Sequence, residues 1–338
     1  DKEYNVAVVG AGLVGRRLVS ILEQRRFPMA ELRILATSSR RQEIAGRERQ
    51  VIEACDEAFE GVDIALFAGT EGETGASRLY GWKAVENGVF VVDNGGDFRM
   101  DDRVPLVIPE VNSRALFSHK GFIANPNCST IQMVMALAPL HLAAGLKRVV
   151  VSTYQAVSGT GQAGARALQQ QREAAVHGGD LDLGPYPHPI VNNAIPQVSG
   201  LRERFPGYYN EEIKMIEETR KIFDYPHLPV TATCVRVPVE NSHSEAINAE
   251  FERPLTVQEA RELLEAFDGV VVVDDPARSL YPLAADADGE DAVYVGRIRI
   301  DPSRPNTLDL WCACDNLRKG AALNTVQIAE KAVEMGLL

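Results

Sequence analysis

YNVAVVGAGLVGRRLVSILEQ, residues 4–24, is the stretch that decides how this chain folds. Residues 4–9 are a continuous apolar run, as expected of a strand buried on both faces of a parallel sheet. Gly10, Gly12 and Gly15 follow in GxGxxG spacing, and Leu13, Val14, Leu18 and Leu22 then recur near helical spacing. Strand, glycine turn and helix in that order suit a dinucleotide. The missing Cβ atoms leave room for a pyrophosphate, and its charge meets the N–H groups at the helix start. The competing reading is a tight strand-to-helix turn that binds nothing.

Working outward, residues 31–36 read as the next strand, giving a βαβ opening. An NAD site usually places a carboxylate near the end of that strand for the ribose 2′-hydroxyl. Residues 36–41 here read ATSSRR, with two arginines and no carboxylate. A 2′-phosphate pairs with guanidinium and is repelled by carboxylate, so NADP(H) is preferred over NAD. The candidate cofactor contacts are Gly10, Gly12, Leu13, Val14, Gly15, Ser38, Arg40 and Arg41. On composition alone, Arg40 and Arg41 can equally be solvated loop charges.

Residues 62–69 (VDIALFAG) and 88–94 (GVFVVDN) supply further short apolar runs with helical segments between them. From residue 148 the texture changes to longer alternating runs: RVVVSTYQAVSG, VTATCVRVPV, AINAEFERP, VYVGRIRID and TLDLWCACD. The expected fold is α/β. An N-terminal Rossmann-type doubly wound parallel sheet precedes a second α+β domain, for catalysis and dimerisation, on a mixed or antiparallel sheet. The boundaries read as 1–126, completed by a returning C-terminal helix over 317–338, and 127–316. Segment 177–197, rich in Gly, Pro and His, reads as a surface excursion, and there is no internal repeat.

The chain of 338 residues carries 45% hydrophobic and 24% charged residues, an ordinary globular composition. A formal net charge of −12 argues against nucleic acid or anionic membrane as the main partner. An anionic substrate then requires a local cationic pocket. Five scattered cysteines fit free thiols in a reducing compartment. No basic segment precedes an apolar run at the start, and no stretch reaches the roughly 20 apolar residues of a membrane span, so a cytoplasmic location is expected.

GFIANPNCSTIQMVMALAPL, residues 121–140, raises the catalytic question. Pro126 disfavours helix at Asn125, Ser129 and Thr130 can open one, and Ile131, Val134, Met135 and Ala138 then share a stripe. Cys128 therefore falls at a helix N-terminus, where the dipole favours thiolate. Its bland reading is a small buried hydrophobe. Cys312-Ala313-Cys314 lacks a second ligand pair for a metal, so it reads as a strand with both thiols on one face, and no metal is expected. His188 receives no role.

NPNCSTIQM, followed 27 positions after the cysteine by Gln155 in VSTYQAVSGTGQAG, resembles the aspartate-semialdehyde dehydrogenase family. EEIKMIEETRKI, TCVRVPVENSHSE, VVDNGGDFRM, VPLVIPEVN and the terminal DNLRKGAALNTVQIAE are similar too, so the resemblance covers nearly the whole chain. It implies NADPH-dependent reductive dephosphorylation of L-aspartyl 4-phosphate to L-aspartate 4-semialdehyde. That step belongs to lysine (through diaminopimelate), threonine, methionine and isoleucine biosynthesis.

Residue by residue, the resemblance makes Cys128 the acyl-thioester nucleophile, His243 the general acid/base and Gln155 the group that orients substrate beside the cysteine. Arg236 would hold the α-carboxylate and Glu211 the amino group. Arg99, Asn127 and Lys214 would bind phosphate, and Ser158, Gly159 and Asn316 would lie near the nicotinamide. It also implies a homodimer or homotetramer acting on small molecules.

Chemistry supports several of these roles without the family. A planar guanidinium grips a carboxylate through two parallel hydrogen bonds, which suits Arg236. Glu211 and Lys214, three apart on a predicted helix, present both signs on one face; an exposed helix salt bridge is the commoner meaning of that spacing. Arg236 and His243 are seven apart and would face opposite sides of an unbroken strand, yet Glu240-Asn241 offers a turn between them.

The chain departs from the family in a first turn one residue shorter than G-A-T-G-x-V-G, in the loop FAGTEGETGASRLYG, and in Ser242 where glycine often precedes the histidine. The rivals are N-acetyl-gamma-glutamyl-phosphate reductase, or a related acyl-phosphate or thioester reductase, and a catalytically silent NADP-binding regulator.

Overall fold

The computed structural model describes residues 2–338, and their contacts divide into two compact units. The first runs to Asn127 and regains the chain at Ala321–Leu338. It begins with β1 (Tyr4–Val9), α1 (Leu13–Gln24) and β2 (Met29–Ala36), then β3 (Arg40–Ile44), β4 (Arg47–Glu53) and β5 (Ile64–Phe67). The short helix α2 (Trp82–Glu86), β6 (Phe90–Asp93), the single turn α3 (Pro109–Asn112) and β7 (Phe122–Ala124) complete it. The strands lie in the order β3-β4-β2-β1-β5-β6-β7. Pairing is parallel throughout except between β3 and β4.

The apolar runs explain the centre of this sheet. Val6, Val8, Ile64, Leu66 and Val92 are closed off from solvent, and Leu18, Ile21 and Leu22 of α1 pack into the same core. Each such side chain contributes roughly 1.5–3 kcal/mol by leaving water. The hairpin β3–β4 has a different origin. Its sequence is almost wholly polar, and only Ile44 and Val51 are fully buried within it. Ala45 (φ 54°) and Gly46 (φ 72°) make the two-residue positive-φ turn that joins twisted antiparallel strands. A strand anchored by one apolar side chain has no period-two signal to read.

The second unit, Cys128–Gly320, opens with α4 (Cys128–Ala144), β8 (Leu146–Gln155), α5 (Gln162–His177) and α6 (Asn210–Ile222). Then come β9 (Val230–Arg236), β10 (His243–Phe251), α7 (Val257–Glu265), β11 (Val270–Val272), α8 (Ala284–Ala287), β12 (Val293–Ile300) and β13 (Thr307–Cys314). The sheet order is β11-β12-β13-β10-β8-β9. It is mixed: β8–β9 and β11–β12 are parallel, and the other neighbours antiparallel. The chain then returns to the first unit as α9 (Leu323–Glu334), which packs beside α1 and places Leu323, Val326, Ile328 and Ala329 in the same core.

Two expectations change. Helix α4 is not buried along one stripe; Ser129, Thr130, Gln132 and Met133 are as closed off as Ile131 and Val134. It lies between β8, β10, β12 and β13 on one side and α6 and α7 on the other, so from Ser129 to Leu140 no side of it faces solvent. Segment 177–197 is not merely a surface excursion. Tyr186, Ile190 and Ile195 join Val157, Ala167 and Leu168 in a small core of their own. The buried Gln171 amide ties that loop down, accepting from the N–H groups of Ile190 and Val191 and donating to the Asp182 carbonyl.

Candidate active site

In the first unit the glycine turn is built as a phosphate cradle is. A Cβ on Gly15 would stand 1.8 Å from the Gly10 carbonyl oxygen, and Gly10 has φ +116°, so neither position accepts a side chain. A Cβ on Gly12 would meet nothing within 4 Å, so this is the side open to a ligand. Leu13 and Val14 begin α1, whose Gly12 cap supplies no side-chain hydrogen bond to the first N–H groups. The residues present therefore fit a dinucleotide phosphate.

Arg40 lies close to this turn. Gln42 donates to the Ala11 carbonyl at 3.0 Å and accepts from Arg40 Nε at 3.1 Å, while Arg40 Nη1 donates to the Ser38 carbonyl at 3.0 Å. Arg41, the next residue on β3, is not brought with it. Strand alternation sends it the other way, onto the exposed Glu48 at 3.3 Å.

Arg99 also belongs to the first unit. Its guanidinium is buried and donates to the carbonyls of Asn125 and Asn94. Asn125 donates to Asn94 and accepts from Asn324, so a buried amide network fixes the loop leading to Asn127. Beside it, Asp93 is pushed up to about 6 by burial, against the opposing pull of the Gly95 N–H and Arg99.

The second unit gathers the other candidates at one end of its sheet. Gln155 is the last residue of β8, Arg236 the last of β9 and His243 the first of β10, with Arg236 in register with Gln155 and His243 opposite Cys314. Residues 237–242 cross over the end of β8, where the N–H groups of Val157 and Ser158 donate to the carbonyls of Val239 and Glu240. The break between strands is what lets residues seven apart share a face. At its last step Ser242 adopts φ +76°, the left-handed region that explains why glycine suits the position.

One residue holds this cluster. The Ala156 N–H donates to His243 Nδ1 at 2.9 Å, and the Ala156 carbonyl accepts from Arg236 Nη1 at 2.7 Å. Gly159 closes the niche, because a Cβ there would stand 2.8 Å from Arg236 Nη1 and 3.2 Å from His243 Nε2. Arg236 is held from behind by the loop of segment 177–197, whose Ile195 exchanges both backbone hydrogen bonds with it. Gln155 donates to the buried Glu211 at 3.2 Å, one turn along α6 from the half-buried Lys214. Ser158 and Asn316 meet at 3.0 Å, and Asn316 Oδ1 accepts the Ser242 N–H at 2.9 Å.

Cys128 begins α4. Four residues on and on the same side of the helix, the Gln132 amide donates to the His243 carbonyl at 3.2 Å and to Cys312 Sγ at 3.4 Å. This docks the first turn of α4 over the polar end of the sheet. Gly320 packs against Cys128, since a Cβ there would lie 3.1 Å from the cysteine's own.

Electrostatics distinguish the thiols. Cys312 and Cys314 are fully buried on one face of β13, and burial pushes both well up. Cys234 is pushed up by burial and by Glu211. Cys128 is only partly enclosed. Glu245, fully buried two residues after His243, is held well above the carboxylate range by burial. His243 is driven well below the usual imidazole range by burial and by the Arg236 charge.

Sequence reasoning missed Ala156, Gln132 and Glu245. The first acts through its backbone, and the other two matter because of which strand they lie against. His188 is exposed and joins no site.

The chain is similar to known proteins over nearly its whole length. Residues 5–119 match the semialdehyde dehydrogenase NAD binding domain and residues 137–319 the semialdehyde dehydrogenase dimerisation domain. The chain is 45% identical to the aspartate-semialdehyde dehydrogenase of Bacillus subtilis over 99% of both chains, and 46% identical to that of Aquifex aeolicus with the same coverage. Among solved structures, aspartate semialdehyde dehydrogenase II of Vibrio cholerae complexed with ASA superposes with a TM-score of 0.93 at 40% identity, covering 99% of each chain.

Proposed function

The chain belongs to the aspartate-semialdehyde dehydrogenase family, and we propose that its second unit carries out that chemistry through a thioester on Cys128. The enzyme is an NADP-dependent phosphorylating aldehyde dehydrogenase. It reduces L-aspartyl 4-phosphate to L-aspartate 4-semialdehyde with release of phosphate, a step of amino-acid biosynthesis.

The observation that carries the reading is the convergence of Arg236, Gln155 and His243 at the sheet end over which the first turn of α4 is docked. Arg236 binds the substrate α-carboxylate and Glu211, buried beside Gln155, its amino group. Gln155 orients the acyl carbon for Cys128, and His243 faces the acyl oxygen. Arg99, Asn127 and Lys214 bind the phosphate, a role that rests on the family resemblance.

We assign the dinucleotide to the first unit, up to residue 127 with the returning helix, and the chemistry to Cys128–Gly320. Bound NADP(H) supplies or accepts the hydride. Gly10, Gly12 and Gly15 make room for its phosphates, Arg40 pairs with the 2′-phosphate, and Ser158, Gly159 and Asn316 belong at the nicotinamide end. Tyr154 and Trp311, with ring centroids 5.3 Å apart and planes tilted by 48° on the sheet face opposite α4, offer the surface on which a second copy pairs. Among the described residues no helix is long and apolar enough to cross a membrane, in keeping with the cytoplasmic location we infer.

The test is phosphate-dependent reduction of NADP by aspartate semialdehyde, run beside N-acetylglutamate semialdehyde, in wild type and Cys128→Ala. We expect activity with the aspartate compound alone and its loss in the variant. Activity surviving in Cys128→Ala sinks the covalent route.

A further inference from the structure

Arg236 stands at a weak place in its sheet. β9 is the last strand in the order β11-β12-β13-β10-β8-β9, and Arg236 is its last residue. One side of its backbone is covered by β8, where it lies in register with Gln155. The other side is a sheet edge, and the end of an edge strand is where a sheet opens first. Here a single residue closes that edge. The Ile195 N–H donates to the Arg236 carbonyl at 2.9 Å, and the Arg236 N–H donates to the Ile195 carbonyl at 2.8 Å.

Ile195 belongs to no strand or helix, so its own place has to be fixed from elsewhere, and Gln171 on α5 does this. The Gln171 side chain is fully closed off from solvent. Its Oε1 accepts the N–H groups of Ile190 at 2.8 Å and Val191 at 3.1 Å, and its Nε2 donates to the Asp182 carbonyl at 2.7 Å. A primary amide suits the task because it carries acceptor and donor on one rigid plane, and a buried amide whose bonds all go to one loop holds that loop in one position. Tyr186 adds a second tie. Its hydroxyl meets Thr160 Oγ1 at 2.9 Å, in the same 3₁₀ turn as Gly159, and Gly164 leaves room for it, since a Cβ there would stand 2.5 Å from that oxygen. Arg172, next along α5, reaches the crossover segment instead, and its ion pair with the exposed Glu240 is of the kind that contributes little.

Resting on the reading that Arg236 binds the substrate α-carboxylate, we propose that Gln171 is a positioning residue for that contact. Through the loop it fixes the backbone of Arg236, and with it the aim of a guanidinium that has to meet two carboxylate oxygens at once. A bidentate grip depends on direction as well as distance, so a backbone that drifts turns two parallel bonds into one. The hydrogen bonds of Gln171 reach no group of the catalytic cluster. Its effect therefore falls on recognition of the carboxylate and not on bond making at the acyl carbon.

The test compares aspartate semialdehyde with 3-aminopropanal, the same amino aldehyde without its carboxylate, in wild type, Gln171→Leu and Arg236→Lys. Leucine fills the space of the amide and removes its bonds to Asp182, Ile190 and Val191. Losing one of two parallel bonds to a carboxylate corresponds to about tenfold in binding. Gln171→Leu should therefore raise KM for aspartate semialdehyde about tenfold, keep kcat within about threefold and leave kcat/KM for 3-aminopropanal within about twofold. A merely structural role would lower activity toward both aldehydes together, with the amount of folded protein. Amide hydrogen exchange on the cofactor-free full-length protein reads the cause directly. Relative to wild type, Gln171→Leu should exchange faster over residues 186–197 and also over β9.

Equal loss with both aldehydes overturns the proposal, and so does faster exchange over 186–197 with β9 unchanged. If Gln171→Leu does not fold, Gln171→Glu carries the test, because it still accepts from both N–H groups and loses only the donation to Asp182. It should show the same selective rise in KM at about threefold, and no selective rise overturns the proposal. Arg236→Lys separates the two readings. Discrimination between the aldehydes that is lost there but kept in the Gln171 variants refutes the role of Gln171 alone. Discrimination unchanged in Arg236→Lys refutes Arg236 as the carboxylate ligand, and this proposal with it.

Discussion

Gly159→Ala adds one carbon at the most crowded point of the site. Gly159 lies in the single 3₁₀ turn Val157–Thr160 and is not among the glycines with positive φ, so alanine adopts its backbone without strain. The perturbation is purely steric. The new Cβ would stand 2.8 Å from Arg236 Nη1, 3.0 Å from His243 Cε1 and 3.2 Å from His243 Nε2, whereas carbon atoms settle at about 3.5–4.0 Å. Something must move by roughly half an ångström or more.

Neither neighbour is free to do so cheaply, since Arg236 Nη1 and His243 Nδ1 are both fixed on Ala156. A misplacement of about 1 Å can cost about 10²-fold in rate, or about 2.7 kcal/mol of barrier. Overpacking also costs about 1–3 kcal/mol of stability, which lowers Tm by only a few degrees for units of this size. The assay is kcat and KM for aspartate semialdehyde, beside a thermal unfolding curve. The expected result is kcat/KM down about 10²-fold on a folded protein, with kcat reduced and KM raised because both the proton donor and the carboxylate ligand shift. Kinetics within threefold of wild type would refute the placement of Arg236 and His243 around this glycine.

Glu245→Gln removes a buried acid whose folded pKa lies well above its unfolded one. Between those two values the unfolded chain binds fewer protons, so wild-type stability falls as pH rises, by about 1.4 kcal/mol per pH unit, and the amide should abolish this component. Urea unfolding at mildly acidic and mildly alkaline pH checks the sign; a wild type that gains more than the variant on going alkaline would contradict it. Arg40→Ala should weaken NADP by about tenfold, the loss of one exposed charge-assisted phosphate contact, and leave NAD unchanged. Competition by adenosine 2′,5′-bisphosphate against AMP reads the same contact. Tyr154→Asp places a charge on the sheet face opposite α4, next to Trp311, and should shift the protein to monomer in light scattering. An unchanged mass would remove that face as the pairing surface.

The parts legible in the sequence were those whose cause is local. The glycine spacing after residues 4–9 requires a close turn because Gly15 sits against the Gly10 carbonyl, a contact fixed within six residues. The Cys128 helix start was legible through Pro126 and the residues that follow it. The β3–β4 hairpin was not, since only Ile44 and Val51 are fully buried in it. The small core of segment 177–197 was equally hidden, because Tyr186, Ile190 and Ile195 are scattered among Gly, Pro and His and become apolar partners only against α5.

For the site, residue type suggested chemistry at Cys128, Gln155, Glu211, Arg236 and His243, while spacing left Arg236 and His243 on opposite faces. Strand order resolved that. β8 lies between β9 and β10, so the end of one neighbour and the start of the other fall side by side although six residues of chain separate them.

By itself, then, the sequence determined where chain and chemistry begin: the glycine turn, two arginines where an NAD site usually places a carboxylate, and a cysteine at a helix start. These follow from short-range sterics and charge. Only the tertiary structure decided that Ala156 holds both Arg236 and His243 and that Gln132 docks α4 on β10. Backbone hydrogen bonds between distant strands carry no residue signature, because every non-proline residue offers the same N–H and C=O.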